Sequence, residues 1–140
     1  MNRKLKRNIR FCIALFLVFV ASCEVQDDFD STFQIRQKIL GSWTSEENSS
    51  EFGQEFRKIN ITSASDSVSI VLNNFFSSNS NVFATLSGRS IEIPRQDING
   101  DIILGDGTIS TDYKKININY AVEYETGEDD NVTAILTRDQ

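Results

Sequence analysis

The sequence predicts an all-β domain of roughly eight antiparallel strands in a meander, preceded by one short helix. After residue 41, apolar and polar side chains alternate with a period of two, which places alternate residues on opposite faces of a sheet. Polar turn signals separate these runs at short intervals, and only one segment has helical spacing. A meander of this size closes into a barrel or folds into a β-sandwich, and the pattern leaves both open.

The helix is predicted between Ser31 and Leu40. Ser31 and Thr32 can cap its N-terminus, and Gly41 is placed as its C-terminal stop. The clearest strand lies much later in the chain, where residues 116–124 alternate strictly between apolar and polar or small side chains. The strand-like runs are 42–46, 52–61, 67–73, 82–87, 90–94, 102–110, 115–125 and 131–138.

Turn-forming residues delimit the predicted strands. Gly88, between two β-rich runs, indicates a hairpin, and the polar stretch 126–131 indicates a longer hairpin loop. Pro94 is expected to close a strand, because it lacks the N–H that a neighbouring strand would bind. Phe75 and Phe76 stand among Asn and Ser residues, where they mark either a packed strand end or an exposed contact patch.

The N-terminus has the pattern of an export signal. A basic head at residues 3–10 precedes an apolar run at 11–21, which is short for a spanning helix of about 20 residues. The Val-Ala-Ser-Cys sequence at 20–23 resembles a bacterial lipobox. That resemblance implies cleavage after Ser22 and acylation of Cys23 with palmitate-type chains, which would anchor the protein in a membrane. An ordinary signal followed by a chance cysteine is the alternative interpretation.

The segment behind the cysteine is acidic. Its four acids at 24–30 resemble the export tag of surface lipoproteins in Bacteroidetes-type bacteria, and a solvated tether is the alternative. We therefore predict attachment to the outer membrane of the cell envelope, with the outer surface slightly favoured over the periplasmic face. The predicted divisions are a lipoprotein signal peptide at 1–22, an acidic tether at 23–30 and one β domain at 31–140.

The composition excludes several functions. The leader holds five of the 14 basic residues and none of the 20 acids, so its removal changes the net charge from −6 to −11. That charge argues against nucleic acid as a partner. Histidine is absent, and Cys12 leaves with the leader, so the sequence offers no Cys or His set for zinc or copper and no histidine relay, although carboxylate-only chemistry stays open. We expect no enzyme activity, no catalytic residues, no metal and no cofactor.

The acidic residues are predicted to be structural or solvated. Asp97, Asn99 and Asp101 have the spacing that opens a calcium loop, but Ile102 and Thr108 stand where that loop needs Gly and an acid. An Asn-Gly hairpin turn is therefore predicted there. The other acids expected at the surface are the hairpin tip Glu125, Glu128, Asp129 and Asp130, together with Glu46, Glu47, Glu51 and Glu55.

Three local features in order resemble the lipocalin family. Gly41-Ser42-Trp43 follows the short helix, Thr111-Asp112-Tyr113 falls between the sixth and seventh runs, and Arg138 ends the last run. The resemblance implies a lipocalin-like barrel whose closed end is formed by Trp43 with Arg138 packed over its ring. Without the resemblance, Trp43 is a core anchor, Arg138 a solvated residue and Thr111 to Tyr113 a plain turn. The layout also resembles small lipocalin-like lipoproteins of Bacteroidetes-type bacteria.

The resemblance also implies a small apolar or amphiphilic ligand inside the barrel or at its mouth. The candidate lining residues on the alternating strand are Ile116, Ile118, Tyr120, Val122 and Tyr124. They are joined by Phe56, Ile59, Ile61, Val68, Ile70 and Phe83. For so short a barrel these side chains equally form a filled core. The alternative function is an interaction module that binds no small ligand and contacts a partner protein, itself unknown, or a surface glycan.

Overall fold

The computed structural model of the protein describes residues 31–77 and 79–140, which form one helix and a closed eight-stranded barrel. Every strand pairs antiparallel with the next along the chain, and the last strand pairs with the first. The predicted meander is therefore confirmed, and it closes as a barrel. The elements are α1 (Thr32–Ile39), β1 (Gly41–Ser49), β2 (Gly53–Ser63), β3 (Ser69–Asn73), β4 (Asn81–Ser87), β5 (Ser90–Ile98), β6 (Asp101–Ile109), β7 (Lys115–Glu123) and β8 (Asp129–Arg138).

Both ends of α1 follow from its sequence. The Ser31 hydroxyl accepts a hydrogen bond from the Gln34 N–H, and the Gln34 side chain accepts one from the Ser31 N–H, which completes a capping box. The helix ends at Ile39, because Leu40 is already extended and Gly41 adopts a φ of 115°. Gly41 thus turns the chain out of the helix and begins β1. The predicted leader, Cys23 and the tether lie outside the described residues.

The interior of the barrel is filled by branched aliphatic side chains. On β7, Ile116, Ile118, Tyr120 and Val122 all point inward and are buried, while Tyr124 lies half-buried just beyond the strand. The facing strands contribute further buried residues, which include Ile59, Ile61, Ile70, Leu72, Val82, Ile93, Ile103 and Leu136. The inward face is therefore a packed core over most of its height.

Three aromatic or aliphatic residues that the sequence placed inside lie outside. Phe56 is 68% exposed, and Val68 and Phe83 are also exposed. The period of two explains both phenylalanines: Ile59 and Ile61 point inward, so Phe56 on the same strand must point outward. Phe83 likewise alternates with the inward residues of β4, and Val68 lies in the loop before β3.

Pro94 was predicted to close a strand, and this prediction was wrong, because β5 continues past it to Ile98. The pairing of β5 with β6 shifts register between Ile93 and Gln96, so Pro94 lies in a bulge, where a missing N–H disturbs no ladder bond. The Gln96 side chain also bonds both backbone groups of Phe83, accepting from its N–H at 2.9 Å and donating to its carbonyl at 2.8 Å. This side chain extends the β4–β5 pairing beyond its last ladder bond.

The two ends of the barrel differ. The closed end consists of α1 and the loops 64–68, 88–89 and 110–114, and the open end consists of the loops 50–52, 74–80, 99–100 and 124–128. Helix α1 lies across the closed end: the Thr32 hydroxyl accepts from Gly88 N–H, and Arg36 donates to backbone carbonyls of Asp66 and Ser69. In the described part of the chain, no helix has the length and apolar character needed to cross a membrane.

Candidate functional site

Trp43 plugs the closed end. Its ring is fully buried at the start of β1, and its Nε1–H donates to the carbonyl of Ile39 at 2.9 Å, which ties the strand to α1. The Arg138 guanidinium lies over the ring, with Cζ 5.5 Å from a ring centroid. Arg138 also donates to the carbonyl of Leu40 at 3.0 Å and to that of Lys38. These contacts satisfy carbonyls at the C-terminus of α1 and hold the helix against the closed end.

Thr111, Asp112 and Tyr113 form the turn between β6 and β7 at the same end. The Asp112 carboxylate accepts from the Ser110 hydroxyl at 2.6 Å and from the Lys114 N–H at 3.1 Å, and these hydrogen bonds lower its pKa. Tyr113 adopts a φ of 57°, and its ring contacts the Lys38 ammonium at 4.5 Å. The turn therefore packs against α1 and supports the closed end.

The open end contains a small cavity of about 40 Å³. Its walls are aromatic: the Phe52 and Tyr124 rings lie 5.9 Å apart at 87°, and the Phe76 and Tyr124 rings lie 6.3 Å apart. A space of this size holds a few water-sized groups. The lining residues are Glu47, Ser49, Phe52, Gly53, Glu55, Phe76, Tyr120, Tyr124, Asp130 and Val132.

Glu47 lies in the wall of this cavity and is only 3% exposed, so its prediction as a surface residue was wrong. Its carboxylate accepts from the Ser45 hydroxyl at 3.1 Å and from the Tyr120 hydroxyl at 3.3 Å. The Nε of Arg57 stands 3.6 Å from the same carboxylate and makes no hydrogen bond. Burial, followed by the charge of Glu47, raises the pKa of Tyr120, so the phenol stays neutral and donates.

Asp130 was also predicted at the surface, and it is 1% exposed. Its carboxylate accepts from the Ser49 hydroxyl at 2.6 Å and from the N–H and hydroxyl of Ser50 at 2.9 and 2.8 Å. Burial raises the pKa of Asp130, but these hydrogen bonds outweigh it and hold the pKa below its ordinary value. Asp130 therefore joins β8 to the turn between β1 and β2. The rest of the predicted acidic tip, Glu125, Glu128 and Asp129, is exposed.

Of the five lining residues predicted in the alternating run 116–124, two border the cavity. Tyr120 and Tyr124 do so, whereas Ile116, Ile118 and Val122 belong to the core and are absent from the lining. Burial, with the nearby Asp130 carboxylate, raises the pKa of Tyr124 to about 12, so this rim phenol is also neutral.

Phe75 closes the barrel interior from the open end. It follows β3 in the loop 74–80, is fully buried, and its ring lies 4.9 Å from that of Tyr120. The loop folds back through three non-glycine residues with positive φ, Asn74, Phe76 and Asn79. Phe75 is thus a packed residue, whereas Phe76 stands at the rim of the cavity. A pair of phenylalanines among Asn and Ser residues was the signal in the sequence, and it left open which of the two rings is buried.

The predicted Asn-Gly turn is present between β5 and β6. Asn99 and Gly100 have φ values of 60° and 101°, and the Asp97 carboxylate accepts from the Gly100 N–H at 2.9 Å. Among residues 31–77 and 79–140, no three Asp, Glu, Cys or His side chains converge in a way that could hold a metal ion.

A larger groove of about 340 Å³ runs along the outer wall over β6, β7 and β8. It is shallow, because the small residues Gly105 and Ala121 lower the surface between exposed polar side chains such as Asp106 and Asn119. It does not connect to an open barrel interior, since Tyr120 and Val132 fill the space beneath it.

Comparison with known proteins supports the fold. No protein-family model matches the sequence, and no curated protein matches it. A redesigned β-barrel, b11L5F_LGL, superposes with a TM-score of 0.57 at 11% identity over 79% of this chain and 99% of its own. The structure of EF1p2_mFAP2b, solved bound to DFHBI, superposes with a TM-score of 0.56 at 12% identity over 78% of this chain and 100% of its own. These similarities support the closed antiparallel β-barrel fold and, at such low identity, nothing finer.

Proposed function

We propose that the protein is a lipid-anchored, non-enzymatic lipoprotein of the cell envelope whose lipocalin-like barrel binds a small apolar or amphiphilic ligand at its open end. The observation that carries the ligand part is the cavity between Phe52, Phe76 and Tyr124, with the buried Glu47 in its wall. Apolar walls with a few fixed polar groups are the usual composition of a small-molecule site.

The packing of the barrel limits how such a ligand binds. The closed end is sealed by Trp43 and Arg138, so the open end is the entrance. Because the interior below Tyr120 is filled, only a small part of the ligand can enter the cavity of about 40 Å³. The remainder lies against the rim, where the ring of Phe52 is 63% exposed.

Photolabelling with an uncharged fatty alcohol that carries a diazirine tests this ligand proposal. The full chain is labelled in native membranes, and the modified peptides are located by mass spectrometry. We expect labels on 50–57 and 74–80, and we expect Phe52→Ser to remove most of them, because it removes one wall. Phe56→Ser is the matched control, since Phe56 is 68% exposed but lies on the outer wall. Labels spread over the outer wall, or equal losses in both variants, would refute a site at the open end.

The anchoring part of the proposal rests on residues 1–30 of the sequence. We propose that Cys23 is acylated and that the chain attaches to the outer membrane, with its outer surface favoured over the periplasmic face. Metabolic labelling with a clickable palmitate analogue tests this in cells that express the full chain. We expect the label on the native chain, its loss in Cys23→Ser, and its retention in Cys12→Ser. A label that survives Cys23→Ser, or a native chain without label in the soluble fraction, contradicts the proposal.

A second candidate function is an interaction module that contacts a partner protein or surface glycan. It is favoured by a row of exposed side chains on the outer wall, where Phe56 and Ile135 both pair across to Glu46 on β1. Crosslinking through a photoreactive residue at position 135 tests it in intact cells. A discrete adduct that Phe56→Ser abolishes would favour this module over the ligand-binding barrel, and no adduct would remove it.

A further inference from the structure

Charges are divided between the two ends of the barrel. The open-end loops 50–52, 74–80, 99–100 and 124–128 contain no Lys or Arg. Six of the nine Lys and Arg residues in 31–140 lie in or beside the closed-end elements: Arg36, Lys38, Arg89, Lys114, Lys115 and Arg138. A ligand that approaches the open end therefore meets a negative surface, which attracts cations and repels anions.

The cavity itself is lined by acids and by no base. Glu47, Glu55 and Asp130 contribute carboxylates to its lining, and the nearest cation is Arg57, which lies beside Glu47 at 3.6 Å and donates to Glu55 at 2.9 Å. Three carboxylates thus line the cavity, and Arg57 pairs with two of them, Glu47 and Glu55. Because Glu47 and Asp130 are almost fully buried, water screens this excess of negative charge poorly.

The aromatic walls favour the same kind of ligand. Phe52 and Tyr124 meet edge to face at 87°, and the Phe76 ring lies 6.3 Å from that of Tyr124. All three rings border the cavity, and aromatic rings attract ammonium groups by cation–π interaction. Tyr120 places a neutral hydroxyl deeper in the same cavity, bonded to Glu47.

We propose that the group bound in this cavity is an organic ammonium cation, either a quaternary ammonium or a small alkylamine, held between the three rings and the Glu47 carboxylate. The inference rests on the proposed binding at the open end and specifies the chemistry of the ligand. The cavity of about 40 Å³ has room for the ammonium group alone in this proposal, so any chain or ring attached to it lies outside against Phe52 and Phe76.

Calorimetric titration of the full chain in dodecyl maltoside micelles tests the inference, because this detergent carries no ammonium group. The probes are choline, its uncharged tert-butyl isostere and pivalate, which share a branched shape and differ in charge. We expect choline to bind about tenfold or more tightly than the isostere, and pivalate not to bind. Equal binding of choline and the isostere would overturn the cation inference while the binding site itself stands.

Variants identify the groups responsible. Glu47→Gln keeps the shape of the side chain and removes its charge, so the preference for choline over the isostere should fall towards unity. Glu55→Gln should weaken choline binding less, because Glu55 lies at the exposed rim, and it keeps the test valid if Glu47→Gln fails to fold. Glu92→Gln, on the outer face of β5, should change nothing. If no probe binds while the diazirine alcohol still labels the open end, the cation inference is wrong and the proposed function survives.

Discussion

At the scale of single residues, two side chains on β8 hold the two ends of the barrel. Asp130 accepts hydrogen bonds from Ser49, Ser50 and the Glu51 N–H at the open end. Arg138 bonds the carbonyls at the end of α1 at the closed end. Each of these charged side chains has several hydrogen-bond partners. Removing either side chain therefore leaves donors or acceptors without a partner in places that water cannot easily reach.

We expect Asp130→Asn to reduce the free energy of unfolding by about 2 kcal/mol at pH 7, because an amide accepts fewer of these bonds and brings donors of its own. The pKa of Asp130 is lower in the folded than in the unfolded chain, so its contribution is complete above the ordinary Asp pKa of about 3.9. It is lost as the pH falls through the folded pKa. Urea unfolding at pH 7 and pH 3 should therefore show a smaller acid-induced loss for the variant than for the native chain.

The exposed neighbour Asp129 supplies the control for this prediction, since Asp129→Asn makes the same chemical change at a side chain that water reaches. Part of the acid-induced loss will remain in both variants, because the pKa values of Asp66, Asp112 and Asp139 are also lowered by hydrogen bonds. An identical pH profile for Asp130→Asn and Asp129→Asn would show that Asp130 carries no special charge stabilisation.

Replacement of Arg138 by alanine should cost about 2 kcal/mol, since it removes two hydrogen bonds from a charged donor and the contact with Trp43. Trp43 is the only tryptophan, so its fluorescence reports directly on the closed end during urea unfolding. Arg95→Ala is the matched control: Arg95 forms an exposed ion pair with Glu123, and such pairs contribute less than about 1 kcal/mol. Similar losses in both variants would contradict a role for Arg138 in closure.

At this scale the sequence indicated the position of Trp43 better than it predicted the burial of the acidic residues. Trp43 stood out because its context was distinctive, whereas Glu47 and Asp130 belonged to acidic stretches that are usually solvated. For Glu47, the alternation along β1 did contain the information. Glu47 lies two and four residues from the buried Ser45 and Trp43, so its side chain points to the same face of the strand. Nothing local indicated Asp130, because its partners at 49–51 lie about 80 residues away and meet it only in the closed barrel.

At the scale of elements, the pairing of β6 with β7 is unusually close. A Cβ added at Gly105 would stand 2.7 Å from the Tyr120 Cβ, and one added at Gly107 would stand 2.6 Å from the Asn117 carbonyl oxygen. The two glycines therefore let the large inward side chains of Tyr120 and Ile118 pass over β6. Small residues at such positions allow the tight bending that a barrel wall needs.

We expect Gly105→Ala to destabilise the protein by about 2 kcal/mol, because the added methyl group forces the backbones of β6 and β7 apart. The same shift should alter the position of Tyr120 and weaken its bond to Glu47, so ligand binding at the open end should fall as well. Chemical denaturation and the choline titration measure the two effects. Asp106→Ala, the exposed neighbour, should change neither, and a neutral Gly105→Ala would mean that the strands can separate freely.

The alternating pattern in the sequence identified all eight strands, but it did not assign every side chain to the correct face of the barrel wall. Because side chains alternate along a strand, one residue known to be buried shows which of the others face inward. Phe56 and Phe83 were misplaced because their apolar character was given more weight than this alternation. The extension of β5 past Pro94 depends on a bulge and on the Gln96 side chain bonding another strand. Such compensation comes from tertiary contacts, which no local pattern contains.

At the scale of the whole molecule, the chain enters and leaves the domain at the same end. Ser31 caps a helix on the closed end, and Asp139 donates its N–H to the Ser42 carbonyl beside it. If Cys23 is the anchor that we propose, the eight residues from Cys23 to Asp30 span at most about 28 Å. The closed end then faces the membrane and the open end faces away, with the cations of the closed end nearest to anionic headgroups.

This orientation predicts different membrane distances for probes at the two ends. A spin label on Lys114→Cys should be relaxed strongly by nickel-chelating lipids, and one on Glu128→Cys should be relaxed weakly, because the second lies a barrel length farther from the membrane. In the processed and acylated form that we propose, Cys23 offers no competing thiol. Equal relaxation at both positions would mean that the barrel lies on its side or is not held by its N-terminus.

The ring of strands is completed only by the pairing of β1 with β8, which joins Trp43 to Arg138 across most of the chain. Contacts between such distant residues form late, because a large loop must first be closed. In the exported protein that we propose, a chain crossing a membrane N-terminus first cannot close the barrel until β8 arrives. The β1–β8 pairing that closes the finished barrel therefore stays unformed while the chain crosses the membrane.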